Sequence, residues 1–218
     1  MERTYSFSPI RKRDILGMFS VTLIFIFINI VVYLVLAFFP QDFVLKNIAI
    51  SLENIQQLRL WTFITSMFMH GSFFHLFANM MSLLFLGTFV ERIIGRKRFF
   101  WFYLISGLFG GAMYILTELF FPSGLGAVGA SGAIFGIAGL MVVLTPNLPL
   151  YIMFIPIPIK AKYSVPGLLA LLWLVSILGD VPIGNTAHFG GLILGLGYGI
   201  YLRRKYKRKV HLIGKYFS

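Results

Sequence analysis

No cysteine occurs in the 218 residues, which excludes a disulfide, a thiolate metal site and a cysteine nucleophile, and removes the usual clue to redox compartment. Acidic residues are scarce too: seven Asp and Glu stand against 19 Lys and Arg, for a net charge of +12. They supply no pair of aspartates on facing segments, as an aspartyl protease would need, and no H-E-x-x-H pattern is present for zinc. No metal or other cofactor is therefore expected. Charged residues of both signs make up only 12% of the chain, far below a soluble domain, and the loops between apolar runs leave no room for a separate soluble unit.

Apolar residues are abundant instead: 58% of the chain is hydrophobic and mean hydropathy is +0.87, the composition of a polytopic membrane protein. The first run, Ile15 to Phe39, follows Arg11-Lys12-Arg13 and stops at Pro40. It is too long for a signal-peptide core and lacks a small-residue cleavage site, so it reads as a retained helix. Residues Gln41 to Gly71 mix scattered polar groups with Leu60-Trp61-Thr62-Phe63 and Met67-Phe68-Met69, a pattern suited to short helices at headgroup level. Further spans are expected from Ser72 to Ile94, Phe99 to Phe120, Ser131 to Thr145, Tyr163 to Leu178 and Ala187 to Leu202. The fourth has only about 15 residues, roughly 22 Å against a hydrocarbon core of about 30 Å, so its start should be recessed below the surface.

The fold expected is all-α: a six-helix membrane bundle over residues 15–203, flanked by a basic segment 1–14 and a basic tail 204–218. Lys and Arg counts orient it. In this arrangement 17 of the 19 fall on the side of both termini and two, Lys46 and Arg59, on the other, which puts both termini in the cytoplasm. The basic tail then reads as a topology signal in contact with membrane lipids, with no nucleic-acid partner.

Polar groups inside apolar spans are costly and point to function. Ser131 opens the fourth span behind the glycine-rich stretch Gly124 to Gly129, where unpaired helix-start N–H groups could meet an oxyanion. A plainer alternative is that Ser131 merely caps its helix. His75 and Asn79 lie four apart on one face of the second span, and His188 lies just inside the outer end of the sixth. Four competent groups from three spans thus share one depth near the non-cytoplasmic face. Small residues at four-residue spacing, Gly132 and Gly136 on the fourth span and Gly191, Gly195 and Gly199 on the sixth, allow close packing that would bring His188 to Ser131. The histidine could then accept the serine proton and return it to a leaving amine. No carboxylate is expected at that depth, so the site reads as a dyad.

These same residues resemble the rhomboid intramembrane serine proteases. Gly129-Ala130-Ser131-Gly132 matches the family's G-x-S-G, His75 and Asn79 its H-x-x-x-N, and Ala187-His188 with Gly191 and Gly195 its A-H-x-x-G-x-x-x-G; His70 matches a further histidine of the first loop. The resemblance covers roughly residues 15 to 203. It implies Ser131 as nucleophile, His188 as general base, and His75, Asn79 and the Ser131 N–H as oxyanion donors. It further implies a gate formed by the fifth helix and residues Gly179 to Thr186, and single-span membrane proteins as substrates, cut near the outer face of the cell membrane. Three positions depart from the family. Phe135 stands where many members have Tyr, keeping a ring beside His188 without its hydroxyl. Thr62 follows Trp61 in place of Arg, and Glu91 has no Arg two positions on, which bears on how the first loop and second helix are anchored. A rhomboid-like scaffold that binds membrane clients without cutting them is the alternative; it would be expected to lack Ser131 or His188. A small transporter fits less well, since the polar cluster is off-centre and no repeat is visible.

Overall fold

The computed structural model describes residues 20–151 and 157–216. The basic segment 1–14, the start of the first expected span and Pro156 lie outside the described residues. Helices follow one another as α1 (Val21–Leu36), α2 (Gln41–Ile48), α3 (Leu52–Gln56), α4 (Thr62–Thr65), α5 (Phe73–Ser82), α6 (Thr88–Ile94), α7 (Arg96–Phe120), α8 (Ser131–Leu144), α9 (Ala161–Leu178), α10 (Asn185–Lys205) and α11 (Lys207–Tyr216). A π-helical turn over Leu83–Gly87 joins α5 to α6 into one rod, and the strands β1 (Pro149–Leu150) and β2 (Ile159–Lys160) pair antiparallel.

Among the described residues three rods are long and apolar enough to cross a bilayer: Phe73–Ile94, α7 and α9. Helices α1 and α8 are apolar but shorter, and α10 has 21 residues diluted by five glycines and a basic last turn. The first loop forms short helices, as its mixed pattern suggests. Two features were not foreseen: the small β1–β2 hairpin within the loop before α9, and the helix α11 where a plain tail was expected. Helix α10, where the last span is expected, also runs to Lys205, beyond residue 203.

The core is organised around α8. Of its 14 residues, 11 are buried, because a helix apolar on all sides can be satisfied only by neighbours all round. Its most extensive partner is α10, followed by α7, with α9 against a smaller face. Lipid tails are as apolar as leucine, so burial alone drives little association in a bilayer and close packing must do it. The α8–α10 seam is where that packing is tightest. A Cβ on Gly191 would overlap the Gly132 carbonyl oxygen, and one on Gly195 the Gly136 carbonyl oxygen. From the other side, a Cβ on Gly136 would come to 2.6 Å from the Ser106 Cβ, and one on Gly139 to 2.5 Å from the Leu192 carbonyl oxygen.

Long-range hydrogen bonds fix the remaining pieces. The Glu91 carboxylate accepts from Ser20 Oγ at 2.7 Å, from the N–H groups of Val21 and Thr22 at 2.9 Å, and from Thr22 Oγ1 at 2.7 Å. A negative charge thereby meets the unpaired N–H groups and positive dipole end of α1. Arg59 donates to the Lys46 carbonyl and to Asn54 Oδ1, and Trp61 Nε1 to the Asn47 carbonyl, so the first loop is laced together without an arginine after Trp61. Ile50 and Ala127 exchange two backbone hydrogen bonds of 3.1 and 2.8 Å, joining that loop to the stretch leading into α8.

Candidate active site

Ser131 is the first residue of α8, and the N-cap position before it belongs to Ala130, with no side-chain cap. The serine hydroxyl is therefore not capping its helix. It points across the bundle, where Ser131 Oγ lies 2.7 Å from His188 Nε2. His188 sits in the first turn of α10, its N–H donating to the Gly184 carbonyl at 3.2 Å. The α8–α10 seam begins one residue after the first and three after the second, so it sets their separation.

The ring of His188 is 7% exposed and stacks on Phe135, with centroids 4.7 Å apart and planes 19° from parallel. Phe135 lies one turn below Ser131, which lets one helix present both the hydroxyl and the surface that holds its partner flat. For Ser131 to donate to Nε2, the ring proton must occupy Nδ1. That atom is buried and has no hydrogen-bond partner among the described residues.

On the other side of Ser131, Gly129 has φ +121 and its N–H donates to the Ser66 carbonyl at 2.8 Å. A Cβ there would lie 2.8 Å from both Cε1 and Nε2 of His75 and 3.6 Å from Ser131 Oγ. Conformation and space each demand glycine at this position. His75 is held by Ser72, whose Oγ caps α5 by accepting the His75 N–H at 3.1 Å. Asn79 is buried and donates through Nδ2 to the His75 carbonyl at 2.8 Å, which engages one of its two amide hydrogens. His70 meets His75 edge to face, centroids 5.0 Å apart. Burial, and secondarily the neighbouring His75, hold the His70 imidazole far below its ordinary value, at about 3. It is neutral at working pH and serves as a buried wall for His75.

Residues 57–205 match the family model described as the Rhomboid domain. The chain belongs to the rhomboid family. It is 32% identical over 214 residues to "Rhomboid protease AarA" of Providencia stuartii, covering 85% of this chain and 73% of that protein. It is 35% identical over 159 residues to "RHOMBOID-like protein 1" of Arabidopsis thaliana, covering 70% of this chain and 37% of that one. A third relative, 32% identical over 137 residues, is named "Inactive RHOMBOID-like protein 8" from the same plant. The chain spans about half or less of the length of such plant relatives, and a family that includes an inactive member does not by itself assign activity to this rhomboid.

Several residues of this rhomboid's site escape a reading by motif. A carboxylate does stand at the Ser131 end of the bundle: Glu118, 5% exposed in the last turn of α7. It is not aimed at His188. It accepts from the Ser123 N–H at 3.0 Å and Ser123 Oγ at 2.6 Å, pinning the turn that opens the loop to Ser131. An acid in an apolar run was the available signal. Ser106 of α7, packed against Gly136, and Gly110, where a Cβ would come to 2.8 Å from the Ala187 carbonyl oxygen, set the α7 side of the seam; nothing in their local sequence marks them.

Proposed function

We propose that this rhomboid is an intramembrane serine endopeptidase of six membrane-spanning helices with both termini in the cytoplasm, hydrolysing single-span membrane proteins near the outer face of the cell membrane. The observation that carries the reading is the 2.7 Å contact between Ser131 Oγ and His188 Nε2, made by two helices that the glycine seam holds together. His188 takes the hydroxyl proton as Ser131 Oγ attacks the scissile carbonyl carbon. The carbonyl oxygen becomes an oxyanion, held by the Ser131 N–H at the positive start of α8 together with His75 and Asn79. Collapse of that intermediate breaks the C–N bond, with the His188 proton passing to the leaving amine, and water repeats the sequence on the acyl-enzyme.

Entry of substrate is assigned to α9 and residues 179–186. Only 17% of the apolar window of α9 is buried, against 44% for α7. The start of α9 is moored, since the Ala161 and Lys162 N–H groups donate to the Leu148 and Pro146 carbonyls at 2.9 and 3.1 Å. A helix tied at one end and loosely packed along its length can swing from the other.

Labelling of the purified protein with a fluorophosphonate probe tests the reading without any knowledge of substrate. The expected result is covalent labelling that Ser131→Ala and His188→Ala both abolish while the helical fold is kept. A folded wild-type protein that neither labels nor cuts a single-span reporter would establish the second reading, a binding scaffold, which the inactive relative keeps in view.

A further inference from the structure

The face of α10 opposite the seam carries Gly197, Ile200, Tyr201, Arg204 and Lys205, which line an open groove of about 530 Å³. Their spacing follows successive turns of one helix face. Gly197 makes the notch. Unlike Gly191 and Gly195, it has nothing within 4 Å of where a Cβ would be among the described residues, so none of the described helices requires it, and glycine within a helix disfavours the fold. The apolar wall beside it is Ile200, 46% exposed.

At the lower end of the groove the chemistry changes sign. Lys205 Nζ donates to Tyr201 Oη at 2.7 Å and lies over the Tyr201 and Tyr206 rings, at 5.2 and 5.9 Å. Arg98 Nη2 donates to Tyr206 Oη at 3.1 Å, with its guanidinium 5.4 Å from the same ring. The cations are thus held by aromatic rings and phenol oxygens, not by carboxylates. Among the described residues the one ion pair is Arg96–Glu91 at 3.6 Å, and no acid follows Asp180 in the sequence. Arg204 and Lys205 stand at the mouth of the groove with no acid on their own helix, and Arg98 reaches the adjacent Tyr206 from α7.

We propose that this groove seats one anionic phospholipid, its phosphate on Arg204 and Lys205 beside Arg98 and an acyl chain along Ile200 and the Gly197 notch. The ligand is a lipid because a free phosphate would answer the charges and leave the notch and its apolar wall unfilled. This rests on the reading of α10 as a membrane-spanning helix and is independent of whether Ser131 is a nucleophile.

The test uses the full-length Ser131→Ala protein in nanodiscs of mixed phosphatidylglycerol and phosphatidylcholine, released for native mass spectrometry of retained lipid. Phosphatidylglycerol should be retained over phosphatidylcholine by about tenfold, and Arg204→Gln with Lys205→Gln should remove that preference. Gly197→Leu, which fills the notch without changing charge, should lower retention of phosphatidylglycerol to a similar extent. Lys207→Gln with Arg208→Gln, on α11, should leave it unchanged, as should millimolar inorganic phosphate. Equal retention of the two lipids would overturn the proposal, as would full retention in either folded groove variant, an equal loss from the α11 variant, or displacement by inorganic phosphate. Since the protein tested is already without Ser131, none of these outcomes bears on the peptidase reading.

Discussion

Gly191→Ala is the sharpest available test of whether the α8–α10 seam sets the Ser131–His188 distance. The added Cβ would overlap the Gly132 carbonyl oxygen and sit 2.9 Å from the Gly132 carbonyl carbon and 3.2 Å from the Gly136 nitrogen. All three are backbone atoms, so no side chain can swing aside. Relaxed non-bonded contact needs about 3.5 Å, so the two helices must part locally by about 1 Å or more. Ser131 adjoins Gly132 and His188 lies less than one turn from Gly191, so the displacement reaches the dyad nearly in full. A contact of 2.7 Å would open to about 3.7 Å, beyond hydrogen-bond range. Misplacement on that scale costs on the order of 100-fold in rate. The assay is the second-order rate of fluorophosphonate labelling, with circular dichroism melting to show that the variant is folded. Gly197→Ala on the same helix, where the added Cβ meets nothing within 4 Å, is the matched control and should label normally. A folded Gly191→Ala protein labelling at the wild-type rate would refute the link between seam and site.

Asn79→Ala should slow reporter cleavage by about 10- to 1000-fold, the range for losing one oxyanion donor; a loss as complete as that of Ser131→Ala would show that Asn79 does more than accessory work. Glu91→Gln puts an amide group among donors that the carboxylate now accepts from, and should lower stability by about 1–3 kcal/mol, read as an earlier unfolding midpoint in an SDS titration with labelling retained below it. An unchanged midpoint would remove Glu91 as the anchor of α1. His70 binds a proton at pH 6.5 when unfolded but only at about 3 when folded, so protons favour the unfolded chain. Its contribution is whole above pH 6.5 and is lost progressively as pH falls from 6.5 towards 3, with a slope of up to about 1.4 kcal/mol per pH unit. His70→Gln should flatten the acid limb of the stability curve, and an identical limb would assign acid sensitivity to other groups.

What the sequence made legible was whatever rests on local spacing. The interval between His75 and Asn79 is one helical turn, and Asn79 Nδ2 reaches back to the His75 carbonyl over that interval. Four-residue glycine spacing on α8 and α10 corresponds to a seam where added Cβ atoms would strike backbone. Stretches whose meaning depends on a distant partner were not legible. Glu91 reads locally as part of the turn before α7 and in fact holds the start of α1, about 70 residues earlier. Glu118 reads locally as a lone acid in an apolar run, and its carboxylate is turned to Ser123. The pairing of β1 with β2 and the helicity of α11 depend on docking against the bundle, where Leu150, Tyr206 and Val210 contact the main core, and docking has no signature in a short polar or proline-rich stretch. Hydropathy alone also undervalues α10, because the glycines that make it a packing helix lower its apolar content.

Among the described residues no acid stands behind His188, and this constrains how the proposed dyad can work. In a serine–histidine–aspartate site the carboxylate fixes the imidazole and offsets the charge it gains. Here Nδ1 is buried without a partner among the described residues, so orientation must come from packing, and Phe135, stacked at 4.7 Å, is the surface that supplies it. The imidazolium formed on proton transfer would be a buried cation with no fixed counter-ion, a state disfavoured by several kcal/mol on its own. The anion nearest to it is the oxyanion created in the same step, beside the start of α8. Proton transfer and carbonyl attack are therefore expected to be coupled, each charge offsetting the other, and the geometry of the ring matters more than it would with an acid behind it. Phe135→Leu keeps an apolar group of similar reach but no flat face, and should lower the labelling rate by about tenfold with little change in melting temperature. Phe135→Tyr keeps the ring and should retain activity. If the leucine variant labels as fast as wild type, the ring is held by something other than stacking, and the Nδ1 atom must find a partner that the resting geometry does not contain.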